Sequence, residues 1–167
     1  MKLTPESYSL SSENPNHPAA NCVNNDYSDY CHGASGSTSG VLSITVNGRI
    51  TSIVVYNRAG SSTVQNRWHN AIIRVDGSQV GTISASGNQD QQTFAATTSS
   101  GQHVVTIVTR DLLNLAEVEI FGSTSTSSTG SGIVSRYINI FQFLEKSAHE
   151  FNVIAKSFEH FYDTLGT

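Results

Sequence analysis

The stretch Leu113–Gly122, LNLAEVEIFG, decides the fold of this 167-residue chain. Within it Val118 and Ile120 alternate with Glu117 and Glu119. That two-residue period is typical of a β-strand, because successive side chains of a strand point to opposite faces of the sheet. We therefore expect a closing strand here, with its apolar face sealing a β-sandwich.

Working back along the chain, short segments rich in β-branched residues predict further strands. They lie at residues 41–46, 50–57, 71–75, 80–84, 93–97 and 103–109. Asn47-Gly48 and Asp76-Gly77 are dipeptides suited to tight hairpin turns. Residues 41–122 contain no helix-period segment of the kind that a parallel sheet needs for its crossovers. The first forty residues are polar and broken by Asn, Gly and Pro, so we expect loops there with one short strand.

The sandwich is expected to occupy residues 1–122, and the composition changes beyond it. Residues 123–132 are Ser, Thr and Gly only, which predicts a flexible linker. From residue 133 to 167 apolar and aromatic residues recur at alternating three- and four-residue steps, which predicts an amphipathic helix. Their apolar stripe, within 133–165, would either pack on its own domain or serve for homo-oligomerisation or docking in a larger assembly.

Charge and hydropathy exclude several classes of protein. Charged residues make up only 13% of the chain and its net charge is −4, so no basic surface is present for nucleic acid. No apolar run reaches the length needed for insertion into a membrane. The N-terminal residues lack the apolar stretch of a signal peptide, which predicts an intracellular or virion-associated protein unless a leader precedes this sequence.

Cys22 and Cys31 are the two cysteines of the chain. Two cysteines are too few to build a disulfide scaffold. They would either bridge a short loop or remain buried thiols, since cysteine also acts as a small apolar residue.

Three stretches of the body resemble the F-type lectin (fucolectin) branch of the discoidin-like, galactose-binding-like domains. Ala19–Asp26, AANCVNND, is similar to the family's A-x-N-A-x-D-G-N loop. Ile50–Arg58 and Asn66–Val75 are similar to its central strands, and Leu115–Gly122 to its last strand. The resemblance implies an all-β, antiparallel, eight-stranded jelly-roll β-sandwich with binding loops at one end and a bound calcium ion.

The resemblance also implies a site for a fucose- or galactose-type glycan, in which His32, Arg58 and Arg67 would fill the three cationic or donor positions. The acidic position of the family motif, two residues after the first arginine, is Gly60. Arginine suits sugar hydroxyls because its guanidinium is a rigid fork of N–H donors. Trp68 or Tyr56 would supply the apolar platform, although Trp68 would otherwise belong to the core.

A calcium ion needs about six to eight oxygen ligands, many of which are loop carbonyls. Glu117 is notable because a carboxylate within an apolar strand requires either solvent or a cation. The alternative interpretation is that Glu117 and Glu119 simply point to the outer face of the sheet. The candidate calcium ligands are Asn21, Asn24, Asp26, Ser35, Ala116 and Glu117.

No catalytic motif appears, and the scattered His17, His69 and His103 are expected to be ordinary surface or core residues. We therefore expect no enzyme but a carbohydrate-binding module that is displayed or oligomerised through its C-terminal helix. The alternative is a structural component of a large assembly, such as a virus capsid or a cytoskeletal or ciliary array, which would reuse the fold for protein contacts.

Overall fold

The computed structural model describes residues 1–37, 39–84 and 90–124. The chain divides into two units, Met1–Ser125 and Thr126–Thr167, and the described residues belong to the first. Most of the expected linker at 123–132 and the whole expected helix at 133–167 lie outside the described residues.

Nine strands make up the described part of the chain. They are β1 (Pro5–Leu10), β2 (Cys31–His32), β3 (Gly40–Asn47), β4 (Arg49–Asn57), β5 (Ile72–Val75), β6 (Ser78–Thr82), β7 (Gln91–Ala95), β8 (Gln102–Thr109) and β9 (Asn114–Ser123). Three short helical turns interrupt them, at Ala19–Cys22, Ser62–Gln65 and Asn66–Trp68. No helix in these residues is long and apolar enough to cross a membrane.

The strands form two antiparallel sheets. A five-stranded sheet has the order β1-β3-β8-β5-β6, and a four-stranded sheet has the order β2-β9-β4-β7. Apolar residues from both sheets enter one buried cluster, including Ile44 of β3, Ile53 of β4 and Ile120 of β9. The expected all-β antiparallel sandwich is confirmed, with β1 and β2 arising from the first forty residues, where one short strand was expected.

The two turn dipeptides have different roles. Asp76 and Gly77 both have positive φ and join β5 to β6 as a hairpin, as predicted. The prediction for Asn47-Gly48 is wrong, because β3 pairs with β1 and β8 while β4 pairs with β7 and β9. This dipeptide carries the chain from one sheet to the other. Gly48 suits the corner because its φ is +143° and a Cβ there would lie 2.6 Å from the Ser123 carbonyl oxygen.

Strand β9 is the centre of the four-stranded sheet and is buried on both faces over most of its length. Val118 and Ile120 point into the core, as the sequence predicted. The opposite face of β9 is covered by the segment that precedes β2, with Asn25 and Tyr27 hydrogen-bonded to glutamates of β9. This covering segment, residues 22–31, is therefore part of the folded body.

A disulfide joins Cys22 to Cys31, which decides between the two alternatives that the sequence left open. Both residues are fully buried. Cys31 begins β2 and pairs with Leu115 of β9. The bond therefore closes the segment 22–31 at the strand that carries His32.

Candidate functional site

Two strand pairings bring the predicted sugar-site residues to one end of the four-stranded sheet. β2 pairs with β9, which places His32 opposite Asn114. β4 also pairs with β9 and ends with Asn57 opposite Leu115, so Arg58 begins the next loop beside Asn114. We call His17, Tyr30, His32, Arg58, Arg67 and Asn114 the arginine site.

Arg58 is held on two sides. Its Cζ atom lies 3.4 Å from the centroid of the Tyr30 ring, a cation–π contact. Its Nη1 donates to Oδ1 of Asn114 at 3.4 Å. A guanidinium has five N–H donors, so the contact to Asn114 leaves several of them for other partners.

Arg67 lies in the short helical turn Asn66–Trp68 and approaches His32. Its Nη1 is 3.4 Å from Nε2 of His32. Since a guanidinium has no acceptor, Nε2 must accept here, and the proton of the neutral imidazole then lies on Nδ1. Burial, together with the positive charges of Arg67 and Arg58, lowers the pKa of His32. At neutral pH His32 is therefore uncharged beside the two guanidinium cations.

His17 and Tyr30 complete this end of the sheet, and sequence reasoning missed both. The two rings stack with centroids 4.0 Å apart, and the Tyr30 hydroxyl is 2.8 Å from Nε2 of His17. The His17 carbonyl accepts the N–H of His32 at 3.0 Å. His17 was expected to be an ordinary single histidine, but this arrangement places it within the arginine site.

Several buried polar atoms of this end lack a hydrogen-bond partner within the described part of the chain. They are Nδ1 of His17, Nδ1 of His32, Oδ1 of Asn57 and Nδ2 of Asn114. Unpaired buried polar atoms are uncommon in proteins, and a group of them usually has a ligand or water as its partner. Counted together with the N–H groups of Arg58 and Arg67, donors outnumber acceptors here, which suits a ligand rich in oxygen atoms.

The two aromatic residues expected to form an apolar platform for the sugar, Trp68 and Tyr56, lie outside the arginine site. Trp68 is fully buried and belongs to the core, so its indole offers no face to a ligand in this structure. The Tyr56 hydroxyl donates to Oε2 of Glu119 at 2.8 Å, on the outer face of the sheet. Tyr30 is the aromatic residue that accompanies the two arginines. Of the two alternatives for Trp68, the structure therefore favours the core, which the sequence left open because it does not reveal which side of a loop faces the core.

Three of the residues proposed as calcium ligands, Asn24, Asp26 and Glu117, already have hydrogen-bond partners within the chain. Asp26 uses a carboxylate oxygen for the N–H and hydroxyl of Ser28, and Asn24 Oδ1 accepts the N–H of Asp26. Both residues are exposed, whereas Glu117 is fully buried. No group of three or more His, Cys, Asp or Glu in the described ranges could hold a metal ion.

The remaining candidate ligands are arranged as follows. Asn21 donates its amide to the Tyr30 carbonyl, and Ser35 lies in an exposed turn beyond β2. Ala116 faces the interior from β9. The cation beside Glu117 is Lys2, whose Nζ lies 3.3 Å from Oε1 of Glu117.

Solved structures similar to this chain are sugar-binding modules. The lectin domain of lectinolysin, complexed with Lewis B antigen, matches with a TM-score of 0.57 and 19% identity, covering 71% of this chain and 93% of that chain. A fucose binding module of Streptococcus pneumoniae has a TM-score of 0.58 at 21% identity, covering 73% and 96%. An F-lectin from striped bass (Morone saxatilis) serum has a TM-score of 0.58 at 19% identity, covering 71% and 45%.

These likenesses establish the fold, that of the F-type lectin and galactose-binding-like sandwiches. At such identities a shared fold does not by itself carry a function, because function depends on the residues placed upon it. No protein-family model matches the sequence, and no curated protein matches it.

Proposed function

We propose that this chain binds carbohydrate at the arginine site, and that its ligand is a fucose- or galactose-type residue of a glycan. The observation that carries the proposal is the convergence of Arg58, Arg67 and His32 with unpartnered buried donors on one partly exposed end of the sheet. A sugar presents neighbouring hydroxyls, each of which accepts and donates hydrogen bonds. Fixed planar donors match such a ligand without a large loss of side-chain entropy.

The class of sugar is suggested by the similar structures. The lectinolysin domain is complexed with Lewis B antigen, and the S. pneumoniae module binds fucose. The family's acidic position is Gly60 in this chain, so the site relies on Arg58, Arg67 and His32 without that carboxylate. We therefore expect weak binding by a single site.

The experiment is a glycan-array screen followed by calorimetric titration of the best ligand. Arg58→Ala and Arg67→Ala should each weaken binding about 10- to 100-fold, because each removes charge-assisted hydrogen bonds of about 1.5–3 kcal/mol. The matched control is Arg49→Ala, because Arg49 is exposed and begins β4 at the end opposite to Arg58. A folded protein that binds no glycan, or arginine-site variants that bind as well as Arg49→Ala, would overturn the proposal.

We further propose that residues 133–165 make the domain multivalent or anchor it in a larger assembly. The support is the apolar stripe of the sequence, and linked weak sites gain avidity without new contacts. Phe151→Glu with Phe158→Glu, made in the full chain, should reduce the molar mass measured by light scattering. Gln142→Glu with His149→Glu, off the stripe, should not. An unchanged mass in the phenylalanine variant would contradict this role.

A further inference from the structure

A second charged cluster lies on the outer face of β9, away from the arginine site. Lys2, Asn25, Tyr27, Tyr56, Glu117 and Glu119 form it, and we call it the lysine cluster. Its two carboxylates come from alternate positions of one strand, and the segment 22–31 covers them. Glu117 is fully buried, and Glu119 is nearly so.

Lys2 is the cation of this cluster. Its Nζ lies 3.3 Å from Oε1 of Glu117 and 3.1 Å from Oε1 of Glu119. It also donates to Oδ1 of Asn25. An ammonium has three N–H donors, and each has an oxygen here.

The backbone fixes Lys2 in place. It forms an antiparallel bridge with Phe121, and the next N–H, of Leu3, donates to the Ile120 carbonyl at 2.7 Å. The ammonium is therefore positioned by backbone pairing with β9, the strand that carries both glutamates. Its side chain keeps partial exposure, 27%.

Other residues donate further hydrogen bonds to the carboxylate oxygens of the two glutamates. Glu117 Oε2 accepts the Asn25 N–H at 3.2 Å. The Tyr27 and Tyr56 hydroxyls donate to Glu119 at 2.9 and 2.8 Å. Burial dominates at Glu117 and raises its pKa in spite of Lys2. At Glu119 the hydrogen bonds from Tyr56, Tyr27 and Lys2 together outweigh burial and lower the pKa. Glu117 has fewer hydrogen-bond donors than Glu119, so its negative charge depends more on Lys2.

We propose that Lys2 supplies the cation of this cluster, so that the segment 22–31 is held against β9 without a metal ion. The sequence predicted a calcium site around Glu117. The ammonium of Lys2 lies among the oxygen atoms there. Asn25 links the segment 22–31 to β9, because its backbone N–H donates to Glu117 and its side-chain oxygen accepts from Lys2. The order of segment 22–31, and with it the position of Tyr30 beneath Arg58, then depends on an internal ion pair.

The test uses the full chain and thermal unfolding with calcium or with EDTA. Lys2→Met keeps the length of the side chain and removes its charge. Because a buried carboxylate loses its partner, the midpoint should fall by about 5–10 °C. Arg110→Met is the matched control, since it removes an exposed positive charge that lies outside the lysine cluster, and it should leave the midpoint unchanged. The midpoint of the parent protein should be the same in calcium and in EDTA.

A second variant separates charge from packing. Glu117→Gln added to Lys2→Met removes the unpaired charge and should recover much of the lost midpoint. The proposal is overturned if calcium raises the midpoint of the parent protein by several degrees, if Lys2→Met is as stable as the parent, or if the double variant is no more stable than Lys2→Met. Glycan binding is not needed for any of these measurements.

Discussion

The guanidinium of Arg58 lies over the ring of Tyr30, with Cζ 3.4 Å from the ring centroid. The two residues come from segments far apart in the chain. The pairing of β2 and β4 with β9 brings them together. Stacking restrains the guanidinium before a ligand arrives, so less conformational freedom is lost on binding.

Replacing the ring of Tyr30 should therefore affect the glycan affinity. Tyr30→Leu removes the cation–π contact, worth about 0.5–2 kcal/mol, and should weaken binding about threefold to thirtyfold. Tyr30→Phe keeps the ring and loses only the hydroxyl that meets His17, so its affinity should stay close to the parent value. Calorimetric titration of both variants checks this. Equal losses in the two variants would show that the ring contact is unimportant.

The glycan affinity should also depend on pH through His32. Because burial and two arginines lower its pKa, His32 takes up a proton only below the ordinary value of about 6.5. Protonation adds a third positive charge and removes the acceptor that Arg67 uses. The affinity should be constant from about pH 8 to 6.5 and fall below that. Titrations at several pH values, with His32→Gln as the control without a titrating group, measure it. An affinity that rises in acid would contradict this assignment.

The Cys22–Cys31 bond should stabilise the domain measurably. In the chain-entropy model a closed loop of this length contributes about 2.5–3 kcal/mol to the free energy of unfolding. Cys22→Ala with Cys31→Ala should lose about that amount in urea denaturation, and reduction of the parent protein should have a similar effect. Glycan affinity should fall as well, because β2 carries His32. A double variant as stable as the parent would refute the prediction.

At the opposite end of the sandwich, His103 should make stability depend on pH. Its Nδ1 is 2.7 Å from Oδ2 of Asp76, and its Nε2 is 2.9 Å from the Ser99 carbonyl oxygen. Both partners are acceptors, so the imidazolium form satisfies both. Burial lowers the pKa of His103, but the bonds to Asp76 and Ser99 and the charge of Asp76 together raise it. The pKa of Asp76 is lowered, since its bonds to Val104 and His103 outweigh burial.

The sign of the effect follows from these two directions. A raised histidine pKa contributes stability below the unfolded value of about 6.5, and the contribution is lost as pH rises through the folded pKa. A lowered aspartate pKa contributes above about pH 4 and is lost in stronger acid. The difference in unfolding free energy between the parent and His103→Gln should thus be largest between about pH 4 and 6.5 and shrink towards pH 9. His69→Gln is the control. A difference that grows with pH would contradict the ion pair.

The local pattern of the sequence predicted most strands, because alternation and turn chemistry are short-range signals. The Asp76-Gly77 hairpin is such a case. Asn47-Gly48 is the instructive failure: a turn dipeptide reveals that the chain changes direction, but the pairing of β3 and β4 with other strands is decided by distant parts of the chain. His32, Arg58 and Arg67 were instead named from the resemblance to the F-type lectins.

The partners of the charged residues were also beyond local patterns. The sequence indicated that Glu117 needs either solvent or a cation, or that it points to the outer face, but Lys2 is 115 positions away in the sequence. Likewise, His17 and Tyr30 approach Arg58 only because the disulfide and the β2–β9 pairing fold their loops over the sheet edge. Residues brought together by long-range pairing leave no spacing that a sequence alone would reveal.

Glycan binding at the arginine site is tested most directly by amide chemical shifts measured during titration of the full chain with a fucosylated oligosaccharide. We predict saturable shifts centred on His17, Tyr30, His32, Arg58 and Arg67, which Arg58→Ala abolishes and Arg49→Ala retains. Saturable shifts centred instead on His103 and Asp76, or no shifts at millimolar sugar, would contradict it.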